Sequence, residues 1–308
     1  MGKTAFLFPG QGAQYVGMAR EFYETYEESR EVFAKATQAA GFSLEDICFT
    51  ENEKINETRY TQPALFTACC AILSAVQKEG IQADAAAGLS LGEYCALTAA
   101  GAITFEDGVK VVCQRGNYMQ DAVPAGQGSM YAILSRKPLP IEEICQDVPG
   151  VVNVANYNCP GQQVISGENE AVEEAARKLL EAGAARAVPL NVSGPFHSPL
   201  LKGAGLRLKE LLSTVDMKEP NLLFISNVTA KEVNDAMQLK ELLSRQVYSS
   251  VQWQQSMEYL ITMSVDTFVE IGPGKTLSNF MKKISSTVRL FHVETPADLE
   301  QLKKEWIH

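Results

Sequence analysis

Gly88-Leu89-Ser90-Leu91-Gly92 sets a serine between two glycines, after a run of small residues and before a helix-forming segment. In a sharp strand-to-helix turn this spacing projects the hydroxyl away from the backbone, because glycine has no Cβ to block it. The N–H groups that open the following helix then face the carbonyl such a serine would attack. A serine in this position also serves as a plain helix cap, so a catalytic reading needs a base within reach.

The chain holds three histidines. His308 is terminal. His292 lies in Leu290-Phe291-His292-Val293, a strand-like run where a packing or surface role is the ordinary expectation. His197 lies in Gly194-Pro195-Phe196-His197-Ser198-Pro199, a turn-rich stretch before a helix. Turns on a rigid frame are where catalytic groups concentrate. Elimination leaves His197 to take the Ser90 proton and return it to a thiol, against the plainer reading of a histidine in a turn.

The elements that must bring Ser90 and His197 together follow an α/β pattern, with short apolar runs alternating with segments of helical period. Strands are expected at 4–8 and 83–88, and helices at 19–37, 62–78, 92–100 and 105–121. After a linker-like Pro124-Ala125-Gly126-Gln127-Gly128, strands at 130–134, 151–155, 163–166 and 185–189 and helices at 141–147 and 168–182 read as β-α-β-β-α-β. That is the split ferredoxin-like unit. Strands resume near 222–226, 267–271 and 288–293. The expectation is a largely parallel α/β domain at 1–125 and 191–308, interrupted by a ferredoxin-like subdomain at 126–190. A cleft between the two is where a ligand belongs.

Composition narrows the function. The chain carries 27 Lys and Arg against 37 Asp and Glu, a formal charge of −10, with no block of one sign. This argues against nucleic-acid binding by bulk charge. No apolar run approaches the ~20 residues of a spanning helix, and the N-terminal stretch is too short for a secretory leader. Seven cysteines without C-x-x-C spacing read as reduced thiols, so a soluble cytoplasmic protein without metal is expected. Gly272-Pro273-Gly274-Lys275-Thr276 imitates a phosphate loop, but Val269 stands where that motif needs glycine.

Six motifs occur in order: Phe8-Pro9-Gly10-Gln11-Gly12-Ala13-Gln14, Tyr60-Thr61-Gln62-Pro63-Ala64, Gly88-Leu89-Ser90-Leu91-Gly92-Glu93, Gln114-Arg115-Gly116, Pro195-Phe196-His197-Ser198 and Glu270-Ile271-Gly272-Pro273-Gly274. Together they resemble the malonyl-CoA:acyl carrier protein transacylases of type II fatty-acid synthesis and the acyltransferase domains of polyketide synthases. The resemblance runs over nearly the whole chain and implies a hydrolase-like core around the insertion. It implies that Ser90 is acylated, that His197 is its base, and that the Gln246 main-chain carbonyl orients the imidazole. The N–H groups of Gln11 and Leu91 would form the oxyanion hole, and Arg115 would hold the malonyl carboxylate. Phe196 would narrow the pocket beside the substrate α-carbon. Leu89 and Ser250 depart from the His and Pro frequent in the family, which bears on the acyl preference.

The implied partners are malonyl-CoA and acyl carrier protein, with no cofactor, and a monomer as the default. Because the carrier is acidic like this chain, docking calls for a local basic patch among Lys202, Arg207, Lys275, Lys282 and Lys283. Two other readings share parts of the site. One is a serine esterase or thioesterase, which leaves Arg115 without a task. The other is a non-catalytic acyl- or CoA-binding protein in which Ser90 only shapes a turn. A polyketide-pathway acyltransferase would use the same residues as the first reading.

Overall fold

The computed structural model describes residues 2–124, 126–192 and 194–306. Within them run β1 (Lys3–Phe8), β2 (Ala85–Gly88), β3 (Gly128–Leu134), β4 (Val152–Cys159), β5 (Gln162–Glu168), β6 (Arg186–Pro189), β7 (Leu223–Phe224), β8 (Val265–Ile271) and β9 (Arg289–Val293). Five of these form a parallel sheet in the order β7-β2-β1-β8-β9. The other four form an antiparallel sheet in the order β4-β5-β3-β6. Counted from β3 the second order is 2-3-1-4, the arrangement of a ferredoxin-like unit.

The parallel sheet is covered on both faces, as parallel sheets usually are. β2 reads Ala85-Ala86-Ala87-Gly88 and is wholly buried. Its small residues let the next turn lie close against β1. A Cβ on Gly88 would sit 1.8 Å from the Gly92 carbonyl carbon, and one on Gly92 would sit 2.2 Å from the Phe8 oxygen. Both glycines of the serine motif are therefore sterically required.

The antiparallel sheet works by its period of two. Ile133, Val154 and Ile165 face the helices Ile141–Gln146 and Asn169–Glu181, where they share a core with Val172 and Leu179. Met130, Ala132 and Val164 point the other way, into the main core. One face thus supports the unit and the opposite face meets the parallel-sheet domain. Val251 ties the two together through Val251 N–H to Ala155 O and Tyr157 N–H to Val251 O, at 2.8 and 2.9 Å. Ser250 adds a hydrogen bond from its hydroxyl to Val154 O at 2.6 Å.

Two expected elements differ. The helix expected at 19–37 is two helices, Arg20–Thr25 and Glu27–Ala40, because Tyr26 takes an extended backbone with φ −112° and ψ 129°. Its ring packs against the main core, and such tertiary packing outweighs a sequence that would continue the helix. The strand expected at 151–155 runs on through Cys159. Asn156-Tyr157-Asn158 looks like a turn in sequence, but its backbone is held by β5 and Val251, and the turn is confined to Pro160-Gly161. Among the described residues no helix is long and apolar enough to cross a membrane.

Candidate active site

Segments following β1, β2 and β8 border one cavity at the C-terminal edge of the parallel sheet, where such sheets place ligands. Ser90 sits at its floor, in the turn between β2 and the helix Gly92–Ala99, with a φ of 53°. Its Oγ lies 2.8 Å from His197 Nε2 and accepts a hydrogen bond from Arg115 Nη2 at 3.1 Å.

His197 also has a left-handed backbone, with φ 59°. Its main chain is pinned at both ends, by Val247 O on the N–H side and Asn153 Nδ2 on the carbonyl side. Nδ1 lies 2.7 Å from the Gln246 main-chain oxygen. A carbonyl oxygen only accepts, so Nδ1 carries the proton and Nε2 offers its lone pair to the Ser90 hydroxyl. Burial lowers the imidazole pKa to about 4, with the Arg115 charge acting in the same direction. At neutral pH the ring is therefore uncharged and able to accept a proton.

Arg115 lies on the helix Phe105–Gln120 and is 1% exposed, which excludes a surface salt bridge. Its hydrogen bonds go to three neutral oxygens, Gln62 Oε1 at 2.7 Å, Gln246 Oε1 at 2.8 Å and Ser90 Oγ. The guanidinium carbon lies 5.6 Å from the centre of the Tyr94 ring. Burial lowers its pKa while Tyr94 and Glu93 raise it. A buried cation solvated by neutral groups is a ready partner for a carboxylate entering the cavity.

Gln11 lines the cavity from the loop after β1, and its amide donates to Thr58 Oγ1 at 3.0 Å. Leu91 precedes the helix after Ser90 in a right-handed conformation. Among the described residues neither the Gln11 nor the Leu91 N–H donates to another group of the chain. Phe196 is buried in the cavity wall beside His197. All seven residues nominated from the sequence thus border the cavity or bond to those that do. The remaining histidines do not join them: His292 stands near Asp298 and Glu294 at 3.5 and 3.8 Å, and His308 lies outside the described residues. Arg207 is engaged elsewhere, over the Tyr118 ring at 4.1 Å.

Further polar groups of the site were given no role in the sequence. Asn227 Oδ1 accepts from the Ser90 N–H at 2.7 Å while its Nδ2 donates to Gly88 O at 2.7 Å. Gln246 Nε2 donates to Ser90 O at 2.8 Å and also to Glu93 Oε2. Gln62 holds Arg115, and Asn156 and Asn158 line the cavity from β4. Gln62 and Glu93 stood inside recognisable motifs. Asn227, between Ser226 and Val228, carried no signal beyond that of an ordinary turn asparagine.

A nucleophilic hydroxyl, a neutral imidazole, a buried guanidinium and two free N–H groups form a centre for acyl transfer from a substrate bearing a carboxylate. An acyl transferase domain model matches residues 5–295 of the chain. The malonyl CoA-acyl carrier protein transacylase of Bacillus subtilis is 43% identical over 304 residues, covering 97% of this chain and 96% of that protein. The crystal structure of the same kind of enzyme from Clostridium perfringens superposes with a TM-score of 0.95 at 44% identity, over 99% of this chain and 97% of that one. A malonyl-transacylase solved in complex with a type II polyketide acyl-carrier protein superposes with a TM-score of 0.96 at 36% identity, over 98% and 99%. With its fold, its matched length and its buried serine centre, the chain belongs to the malonyl CoA-acyl carrier protein transacylase family of acyl transferases.

Proposed function

We propose that the chain moves a malonyl group from malonyl-CoA to the phosphopantetheine thiol of an acyl carrier protein, through a malonyl ester on Ser90. The observation that carries this reading is that Ser90 Oγ is within hydrogen-bond reach of both His197 Nε2 and Arg115 Nη2. The attacking oxygen, its base and a carboxylate partner are thus brought to one point.

In the first half-reaction the Ser90 proton passes to His197 Nε2 as Oγ attacks the thioester carbonyl. The oxyanion is met by the Gln11 and Leu91 N–H groups. Collapse expels the CoA thiolate, which takes the proton back from Nε2. In the second half the carrier thiol gives its proton to Nε2, attacks the ester, and Ser90 leaves reprotonated. The Gln246 carbonyl keeps the ring in the required tautomer throughout. Arg115 depresses the imidazole pKa, and a malonyl carboxylate bound to Arg115 offsets that charge. The base is therefore strengthened when the right substrate is present. An apolar acyl group would give the guanidinium no carboxylate to bond.

Each step uses groups of this chain and its two substrates, with no cofactor. We divide the chain into a catalytic domain at 1–125 and 191–308 and an inserted subdomain at 126–190, acting as a monomer. Seven free cysteines suit the reducing cytoplasm. Intact mass after brief incubation with malonyl-CoA tests the reading. One malonyl on the wild type, none on Ser90→Ala, and transfer to added carrier protein are expected. Release of CoA from a protein that never carries malonyl would instead mean hydrolysis.

A further inference from the structure

Ser90 is gripped through its peptide as well as its hydroxyl. A left-handed backbone at a non-glycine residue is strained and persists only where its surroundings hold it. Two distant side chains do so: Asn227 Oδ1 takes the Ser90 N–H and Gln246 Nε2 binds the Ser90 carbonyl. Both grips converge on Glu93, in the first turn of the helix after the nucleophile and 1% exposed. Glu93 Oε1 accepts from the Asn227 N–H, and Oε2 accepts from Gln246 Nε2. The Gln246 side chain is thereby fully used, because its Oε1 already accepts from Arg115.

We propose that Glu93 is a positioning residue for acyl transfer, whose carboxylate fixes the orientation of the Gln246 amide and, with Asn227, the backbone of Ser90. This rests on Ser90 being the acylated residue. The argument turns on donors and acceptors. Both partners of Glu93 are N–H groups, and a carboxylate is the one side-chain group that only accepts at both oxygens. A glutamine here would aim its NH2 at one of those donors. Turning the Gln246 amide to relieve the conflict would present NH2 to Arg115 in place of the oxygen it now uses. Protonating Glu93 creates the same conflict.

Burial pushes the Glu93 carboxyl up to about 8, against the pull of Asn227, Gln246 and Arg115. The other titratable groups of this cluster change charge elsewhere. His197 is near 4, burial raises Tyr94 far above neutrality, and Arg115 stays charged. A change in rate near pH 8 therefore belongs to Glu93.

The test is the pre-steady-state rate of Ser90 acylation by malonyl-CoA, for wild type and Glu93→Gln, across that pH range. The wild-type rate is expected to rise through about pH 8, and the variant to stay flat. At about pH 9 the variant should be about tenfold slower, the cost of one misdirected hydrogen bond, and at about pH 6 within about twofold. A variant equal to wild type, or slower by one constant factor at every pH, overturns the proposal. If the variant does not fold, the wild-type profile decides alone, and a flat profile overturns it. Failure of the wild type to be acylated at any pH would instead count against the reading of Ser90.

Discussion

The two walls of the cavity are built on opposite terms. On the parallel-sheet side, Ser90, Glu93, Arg115, Gln62, Gln246 and Asn227 satisfy one another, through bonds that cross between segments far apart in the chain. On the other side stand Met130 and Val164 of the antiparallel sheet, with Leu190, Val192 and Phe196 from the segment that leaves it. That wall is mainly apolar, and the buried Asn158 Oδ1 on it has no hydrogen-bond partner among the described residues. The difference teaches a division of labour. A polar network has few acceptable arrangements, so it sets where the reacting atoms sit. An apolar wall changes by degrees with shape, so it sets what fits between them.

The largest effect that separates the walls is acid sensitivity. His197 has its pKa lowered to about 4 from 6.5. Between those values the unfolded chain binds a proton that the folded chain refuses, so stability present above about pH 6.5 is lost as pH falls toward 4. The loss is about 3 kcal/mol. His197→Gln cannot take that proton, and denaturant unfolding at several pH values should show a correspondingly shallower acid slope. Identical slopes would mean that His197 is not what acid attacks.

Arg115 belongs to the polar wall by its bonds and yet reads the substrate, so it sharpens the division. Arg115→Ala should lower acylation by malonyl-CoA at least about a hundredfold, by loss of a charged hydrogen-bond pair, while acylation by acetyl-CoA falls less than about tenfold. Equal losses would make Arg115 a brace alone. The smallest effect lies on the apolar wall. Phe196→Ala should raise the use of methylmalonyl-CoA relative to malonyl-CoA by a few-fold, in keeping with about 1 kcal/mol for one added methyl group. Malonyl acylation itself should fall little. A variant that loses malonyl activity as deeply as Arg115→Ala would show that Phe196 positions His197 and does not gate the pocket.

Much of this was legible because the chemistry is written locally. The glycines around Ser90, the turn around His197 and the parallel-strand pattern each rest on neighbours within a few residues. What escaped is what lies between segments. Asn227 is only a turn asparagine until β7 brings it against Gly88 and Ser90. Asn156 and Asn158 have poor strand propensity, and they become strand residues because β5 and Val251 hold their backbone. Tyr26 interrupts a helix without any breaker in the sequence, at a point where its ring packs against the main core. Glu93 was visible in its motif, but its two donors come from Asn227 and Gln246, more than a hundred residues downstream.

The spacing of Ser90 and His197 has a consequence for how the molecule comes into being. The whole antiparallel unit is threaded between them, 107 residues apart, and the imidazole is held from Gln246, 49 residues further on. Contacts of such separation form late, after local structure has condensed. A chain still emerging from the ribosome therefore carries the serine long before it carries the base, the Gln246 that orients it or the far wall. The reactive centre is a property of the finished fold, and the growing chain lacks one.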